Sequence, residues 1–192
     1  MNHDSYSDGF IRNVLNTVKT IAVVGVSPKV VRPSYFVFKY LLERGYRMIP
    51  VNPGQAGGEL LGQRIYATLA DVPEPIDMVD IFRNADAALG VVQEALALNP
   101  KPAVIWMQLG VRNDDAAKLA EAAGLTVVMN RCPKIEYGRL SSEISWMGVN
   151  SRTLSSKRAA LGTGIQRLSL QRETLAGGTT DATLRAERNT DS

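Results

Sequence analysis

The chain has 192 residues, 45% of them hydrophobic and 21% charged, which is enough for one domain with a substantial core and some chain left over. A net charge of +3 gives no reason to invoke nucleic acid, and no apolar run reaches the roughly 18 residues that span a bilayer. The opening MNHDSYSDGF lacks the basic and apolar regions of a signal peptide, so a cytoplasmic protein is expected. The single cysteine, Cys132, excludes an internal disulfide framework. The single histidine, His3, falls in a polar terminus expected to be mobile, which leaves no zinc site and no histidine-based catalytic dyad.

Phe10, Val14 and Val18 recur at helical spacing and predict a helix over about 9–19. Ile21 to Val24 is an apolar run of the kind buried on both faces of a parallel sheet. Gly25 ends it where a tight turn or a close approach of backbone to ligand needs a residue without a β-carbon. Arg32-Pro33-Ser34 reads as a helix start, because proline at the first helical position loses no hydrogen bond. That first turn, Pro33 to Phe36, holds no carboxylate, and Arg32 adds a positive charge, so the helix end is open to an outside anion. Val37, Phe38 and Leu41 continue the helix and Gly45 ends it.

Arg47 to Asn52 is the second strand, with Pro50 placing it near a sheet edge or making it irregular there. A connection over Gly54 to Gly58 leads to Ile65-Tyr66 and to a turn at Pro73 and Pro75, and Asp77 to Phe82 forms the third strand. Leu89, Val92 and Leu96 mark one face of a helix from Ala85 to Leu98. Ala103 to Met107 is the fourth strand, followed by Gln108-Leu109-Gly110. The helix over about 114–123 opens on Asn113-Asp114-Asp115 and so satisfies its own cap and dipole. Thr126 to Met129 makes a fifth strand. Strands alternating with helices across short connections predict an α/β protein: a Rossmann-like, doubly wound, mainly parallel five-stranded sheet over about 9–140.

Beyond Leu140 the composition turns to Ser, Thr, Arg and Gly, with seven basic and five acidic residues over 141–192. Ile144, Trp146, Met147 and Val149, then Ile165, Leu168 and Leu170, predict an extension partly packed near 144–170 on the core or on a partner subunit. It is expected to fray beyond about 175. The alternative is a flap that covers a ligand.

Spacing separates the phosphate ligands that the first turn suggests. A Walker loop, Gly-x-x-x-x-Gly-Lys-Ser/Thr, does not occur. A dinucleotide fingerprint needs Gly-x-Gly-x-x-Gly and an acid near the end of the second strand. Gly25-Val26-Ser27-Pro28-Lys29-Val30 has one glycine where three belong, and the strand ends in Asn52, which argues against NAD. Neutral Asn52 does not repel a ribose phosphate, so an NADP-dependent oxidoreductase stays open as an alternative. The duller reading is that 20–53 is only the first βαβ unit of a protein whose site lies elsewhere.

Six blocks occur in order: Gly25-Val26-Ser27, Arg32-Pro33-Ser34-Tyr35, Val51-Asn52-Pro53, Val79-Asp80-Ile81-Phe82-Arg83, Trp106-Met107-Gln108-Leu109-Gly110 and Asn130-Arg131-Cys132-Pro133-Lys134. Together they resemble the stand-alone bacterial CoA-binding proteins, whose domain is similar to the CoA-binding domain of the succinyl-CoA synthetase α subunit. The resemblance covers roughly 10–140 and implies coenzyme A or an acyl-CoA, carried by loops at the carboxyl ends of the strands. It places Gly25, Ser27 and Pro28 around the phosphates, with Arg32 and Ser34 at the neighbouring helix start. Asn52 and Pro53 would border the nucleotide end, Phe82 and Arg83 the next stretch, and Gln108, Leu109 and Gly110 the floor beyond the fourth strand.

Each of these residues also has a structural explanation. Arg32 and Arg83 are either solvated or paired with Asp80 or Asp86, and Phe82 is equally suited to the core. Cys132 is expected to be a quiet thiol, since no histidine stands by to activate it. Glu136 and Tyr137 either meet the ligand or fasten the end of the domain. The related ligases pass phosphate through a histidine that this chain lacks in the matched region, so self-sufficient acyl-CoA synthesis is not expected. Three readings follow: a CoA or acyl-CoA binding protein without evident chemistry of its own, an NADP-dependent oxidoreductase, and a subunit that engages another copy or another protein through 141–170.

Overall fold

The computed structural model describes residues 2–141. The extension predicted over 141–192, with its packed stretch near 144–170, its frayed end and the roles suggested for it, lies outside the described residues apart from Ser141. In chain order the elements are α1 (Asp8–Thr17), β1 (Thr20–Val24), α2 (Pro33–Glu43), β2 (Arg47–Val51), β3 (Glu59–Leu60), β4 (Gln63–Arg64), β5 (Met78–Ile81), α3 (Ala85–Leu96), β6 (Val104–Met107), α4 (Asp114–Ala122), β7 (Thr126–Val128) and α5 (Pro133–Leu140). Five strands form one sheet in the order β2-β1-β5-β6-β7, every neighbouring pair parallel. This is the Rossmann-like α/β architecture that the alternation predicts.

Side-chain alternation along the strands sorts the core into two layers. Ile21, Val23, Met48, Met78, Val104, Trp106 and Val128 point to one face, where α1, α2 and α5 cover them with Ile11, Leu15, Phe38, Leu41 and Leu140. Ala22, Val24, Ile49, Val51, Val79, Ile81, Ile105, Met107 and Val127 point to the other, against Ala88, Val92 and Ala95 of α3 and Ala116 and Ala120 of α4. Burial on both faces explains why the strands read as unbroken apolar runs.

Pro50 lies on the edge strand, as its chemistry requires. Its carbonyl accepts from the Tyr66 amide at 3.0 Å, and the Asn52 amide donates to the Tyr66 carbonyl at 2.8 Å, so the outer side of β2 is closed by a short parallel bridge. The proline nitrogen faces the same outer side as its carbonyl and therefore costs no bond to β1.

Two elements escape the sequence pattern. The β3–β4 hairpin has only two residues per strand. Helix α5 carries Gly138 in its middle, a poor helix former, and is held by tertiary contacts instead. The Tyr137 ring meets Tyr40 and Tyr46 edge-on with centroids 6.0 and 6.1 Å apart, and Glu136 accepts from Arg139 at 2.8 Å.

The expectation of a mobile N-terminal segment is corrected. His3 Nδ1 is 3.0 Å from the Tyr6 hydroxyl and its Nε2 is 3.3 Å from Glu121. The Tyr6 hydroxyl also accepts from the Met129 amide at 2.8 Å, and Arg112 and Arg139 reach Asp4 and Asp8. Partners distant in sequence hold what composition alone marks as a loose end.

Candidate functional site at the carboxyl ends of the strands

Strand register sets the site. Val24 lies opposite both Val51 and Ile81, and Ile81 opposite Met107, so four parallel strands end level. The next residues, Gly25, Asn52, Phe82 and Gln108, stand in a row at the place where open parallel sheets bind ligands.

Gly25 has φ +87° and its amide donates to the Val51 carbonyl at 2.9 Å. A β-carbon here would fall 2.7 Å from Arg83 Cδ and 3.0 Å from the Phe82 carbonyl, so the aliphatic stem of Arg83 lies directly against the glycine. The Val26 carbonyl accepts from Asn52 Nδ2 at 2.7 Å, while Asn52 Oδ1 accepts from the Gly54 amide at 2.9 Å. Both ends of the Asn52 amide thus tie the first loop to the turn that Pro53 opens. The Ser27 amide donates to Ser34 Oγ at 3.1 Å, and the Lys29 amide to Ser27 Oγ at 3.3 Å. Ser34 is buried, Ser27 and Pro28 are half-buried, and Arg32 and Pro53 are exposed.

The start of α2 matches the sequence reading. Arg32 occupies its cap position without a side-chain hydrogen bond, and the first turn holds no acid. The other described α-helices differ: α1 begins with Ser7 and Asp8, α3 with Asn84 and Asp86, α4 with Asn113, Asp114 and Asp115, and α5 has Glu136 in its first turn. Neither Arg32 nor Arg83 pairs with a carboxylate among the described residues, whose ion pairs lie elsewhere. The pairing of Arg83 with Asp80 that the sequence allowed does not form, because Asp80 is turned into the core.

Phe82 is half-buried, packed against the layer beneath α1, α2 and α5, and its amide donates to the Val24 carbonyl at 2.8 Å. Gln108 is buried, with Nε2 3.0 and 3.1 Å from the two carboxyl oxygens of Asp80. Burial pushes the Asp80 carboxyl up to about 8, against the opposing pull of the Gln108 hydrogen bond. What this turn presents outward is Leu109, 55% exposed, and Gly110, whose φ is +79°. The Gly110 amide donates to Asn130 Oδ1 at 2.8 Å, and Asn130 itself adopts φ +52°.

Asp80 and Asn130 are the residues whose parts sequence reading missed. A lone aspartate in the strand Met78-Val79-Asp80-Ile81 was the available signal for the first; nothing local marked the second. Glu136 and Tyr137 fasten the end of the domain: Glu136 lies 3.8 Å from Arg131 Nε as well as bonding Arg139. Lys134 sits 5.8 Å from the Phe36 ring and 5.6 Å from that of Tyr40, joining the start of α5 to α2. Cys132 is buried, and burial raises its thiol, in keeping with a quiet cysteine. Among the described residues no cluster of His, Cys, Asp or Glu is suited to a metal ion, and no helix is long and apolar enough to cross a membrane.

Residues 19–138 match the family model described as CoA binding domain, and the chain belongs to that family. It is 36% identical over 127 residues to the uncharacterized protein YneT of Bacillus subtilis (strain 168), a match that covers 66% of this chain and 91% of YneT. Among solved structures it is similar to cell-free ID.343 from Thermus thermophilus, at 40% identity and TM-score 0.66, covering 70% of this chain and 98% of that one. A hypothetical protein from Pyrococcus horikoshii OT3 is 39% identical with TM-score 0.67, covering 73% and 96% of the two chains.

Proposed function

We propose that this protein binds coenzyme A or an acyl-CoA across the carboxyl ends of β1, β2, β5 and β6, as a binding module without chemistry of its own. The observation that carries the reading is an acid-free helix start at Arg32 together with the stem of Arg83 lying against Gly25, two cations at the two ends of one loop that have no carboxylate partner among the described residues. Membership of the CoA-binding domain family supports the choice of ligand.

In this reading the loop Gly25, Ser27 and Pro28 takes the pyrophosphate, with Arg32 and Ser34 at the α2 start supplying charge and shape. Arg83 reaches the phosphates over Gly25, and Phe82 offers its edge to an apolar part of the ligand. Asn52 and Pro53 border the nucleotide end, Asn52 acting by holding the loop at Val26. Gln108, Leu109 and Gly110 form the floor on which the pantetheine arm lies.

Calorimetry tests this. CoA binds, and dephospho-CoA binds more weakly because one anionic group is missing. Binding of NADPH with no response to CoA would replace the proposal with the oxidoreductase reading.

A further inference from the structure

Asp80 touches the site as built so far only through Gln108. It stands on β5 level with Val23 of β1 and Trp106 of β6, completely buried on the face covered by α1, α2 and α5. Its two carboxyl oxygens share one donor, Gln108 Nε2. Among the described residues no lysine or arginine is paired with it. The titratable group that faces it from another element is the buried Cys132 thiol at the start of α5. Toward the carboxyl end of the sheet the next residues on the same face are Phe82 and Gln108, of which Gln108 touches it.

We propose that uncharged Asp80 is the positioning residue of the Gln108-Leu109-Gly110 turn, and that its ionisation opens this turn and weakens ligand binding. The second half rests on the function proposed above; the first does not. A carboxylic acid needs an acceptor for its proton, and Gln108 supplies one when its amide is turned so that Oε1 faces the carboxyl, an orientation that the heavy-atom positions fit equally well. A carboxylate in the same place has several lone pairs, one shared donor and no counter-charge, which is the costly arrangement for a buried ion. The relief is water, and the polar side of its enclosure is Gln108, since the strand residues level with it, Val23 and Trp106, are buried in the core. Ligand and carboxyl are then coupled: a turn held by the acid form presents Leu109 and the Gly110 backbone in one arrangement, whereas a hydrated carboxylate does not. The carboxyl, pushed up to about 8, holds its proton at neutral pH and loses it under mildly alkaline conditions.

The test uses the full chain carrying Cys132→Ala, so that the neighbouring thiol cannot titrate. In the free protein the Leu109 and Gly110 amide resonances move through one transition between about pH 6.5 and 9.5, and Asp80→Asn, which cannot ionise, abolishes it. CoA affinity falls roughly five- to tenfold over the same range when Asp80 is present and stays flat in the Asp80→Asn variant. Both proteins meet the same ligand, so the difference between their profiles excludes titration of CoA itself. Asp80→Leu, an apolar replacement of similar volume, serves as the second non-ionising variant if Asp80→Asn fails to fold. Amide signals that stay still, or move alike in the non-ionising variant, overturn the proposal. Absence of CoA binding at every pH defeats the proposed function alone, and the amide titration still decides the role of Asp80.

Discussion

The side chain of Arg83 occupies the space into which Gly25 would project a β-carbon, with Cδ and Cγ 2.7 and 3.2 Å from that point. The loops after β1 and β5 therefore touch backbone to side chain, and the Arg83 stem is held against the first of them by packing rather than by an ion pair. Glycine is required twice over, for its φ of +87° and for this contact.

Gly25→Ala should cost about 1–3 kcal/mol of stability, from left-handed backbone strain and displacement of the Arg83 stem. CoA affinity should fall with it. Adding Arg83→Ala should recover part of the stability and none of the affinity, because it removes the clash with the Arg83 stem, though not that with the Phe82 carbonyl, together with the cation. Denaturant unfolding and calorimetry on the two variants check this, and unchanged stability in Gly25→Ala would contradict it.

Arg83→Ala alone should weaken CoA binding by about 1–3 kcal/mol, the worth of a charge-assisted hydrogen bond. Its unfolding midpoint should stay close to that of the wild type, since Arg83 is exposed and pairs with no carboxylate among the described residues. The salt dependence of binding should become shallower. An unaltered affinity removes this residue from the site.

Asn52 bonds the Val26 carbonyl with one end of its amide and the Gly54 amide with the other. Asn52→Ala should destabilise the fold by about 1–2 kcal/mol through loss of both. Asn52→Asp keeps the acceptor for Gly54, loses the donor to Val26 and adds a negative charge where the proposed nucleotide end would lie. It should therefore gain no stability over Asn52→Ala, because a carboxylate oxygen then faces the Val26 carbonyl, and it should be the poorer CoA binder. The reverse order in affinity would mean that the ligand does not pass this residue.

Stability should decline as pH rises. Asp80 has a usual value of 3.8 and sits near 8 when folded, so between these the folded chain holds a proton that the unfolded chain has released. Its contribution is complete below about 3.8 and is lost as pH climbs through about 8, with a slope approaching 1.4 kcal/mol per pH unit. Urea midpoints measured from pH 5 to 8 should fall for the wild type and fall less for Asp80→Asn. Parallel curves would show that Asp80 keeps its ordinary affinity for protons.

The sequence was most legible where local chemistry and tertiary role coincide. Apolar runs such as Ile21 to Val24 are strands because both faces are buried, and the acid-free turn after Pro33 is open because nothing local fills it. Pro50 announced its edge because a missing amide matters only inside a ladder. It was least legible where a distant partner decides. Helix α5 depends on Tyr40 and Tyr46 meeting Tyr137, and the N-terminal segment depends on Glu121, Arg112 and Arg139. The inward turn of Asp80 needed Gln108 from the next strand of the sheet, and the contact of Arg83 with Gly25 needed two loops far apart in sequence. Those relations have no local signature to read.

The central claim is tested most directly by a crystal structure of the full chain grown with CoA. The account predicts phosphate oxygens within hydrogen-bonding distance of the Gly25-Val26-Ser27-Pro28 backbone and the Arg83 guanidinium, with the pantetheine arm running toward Leu109. A nucleotide bound elsewhere, or a loop that stays empty at saturating ligand, would contradict it.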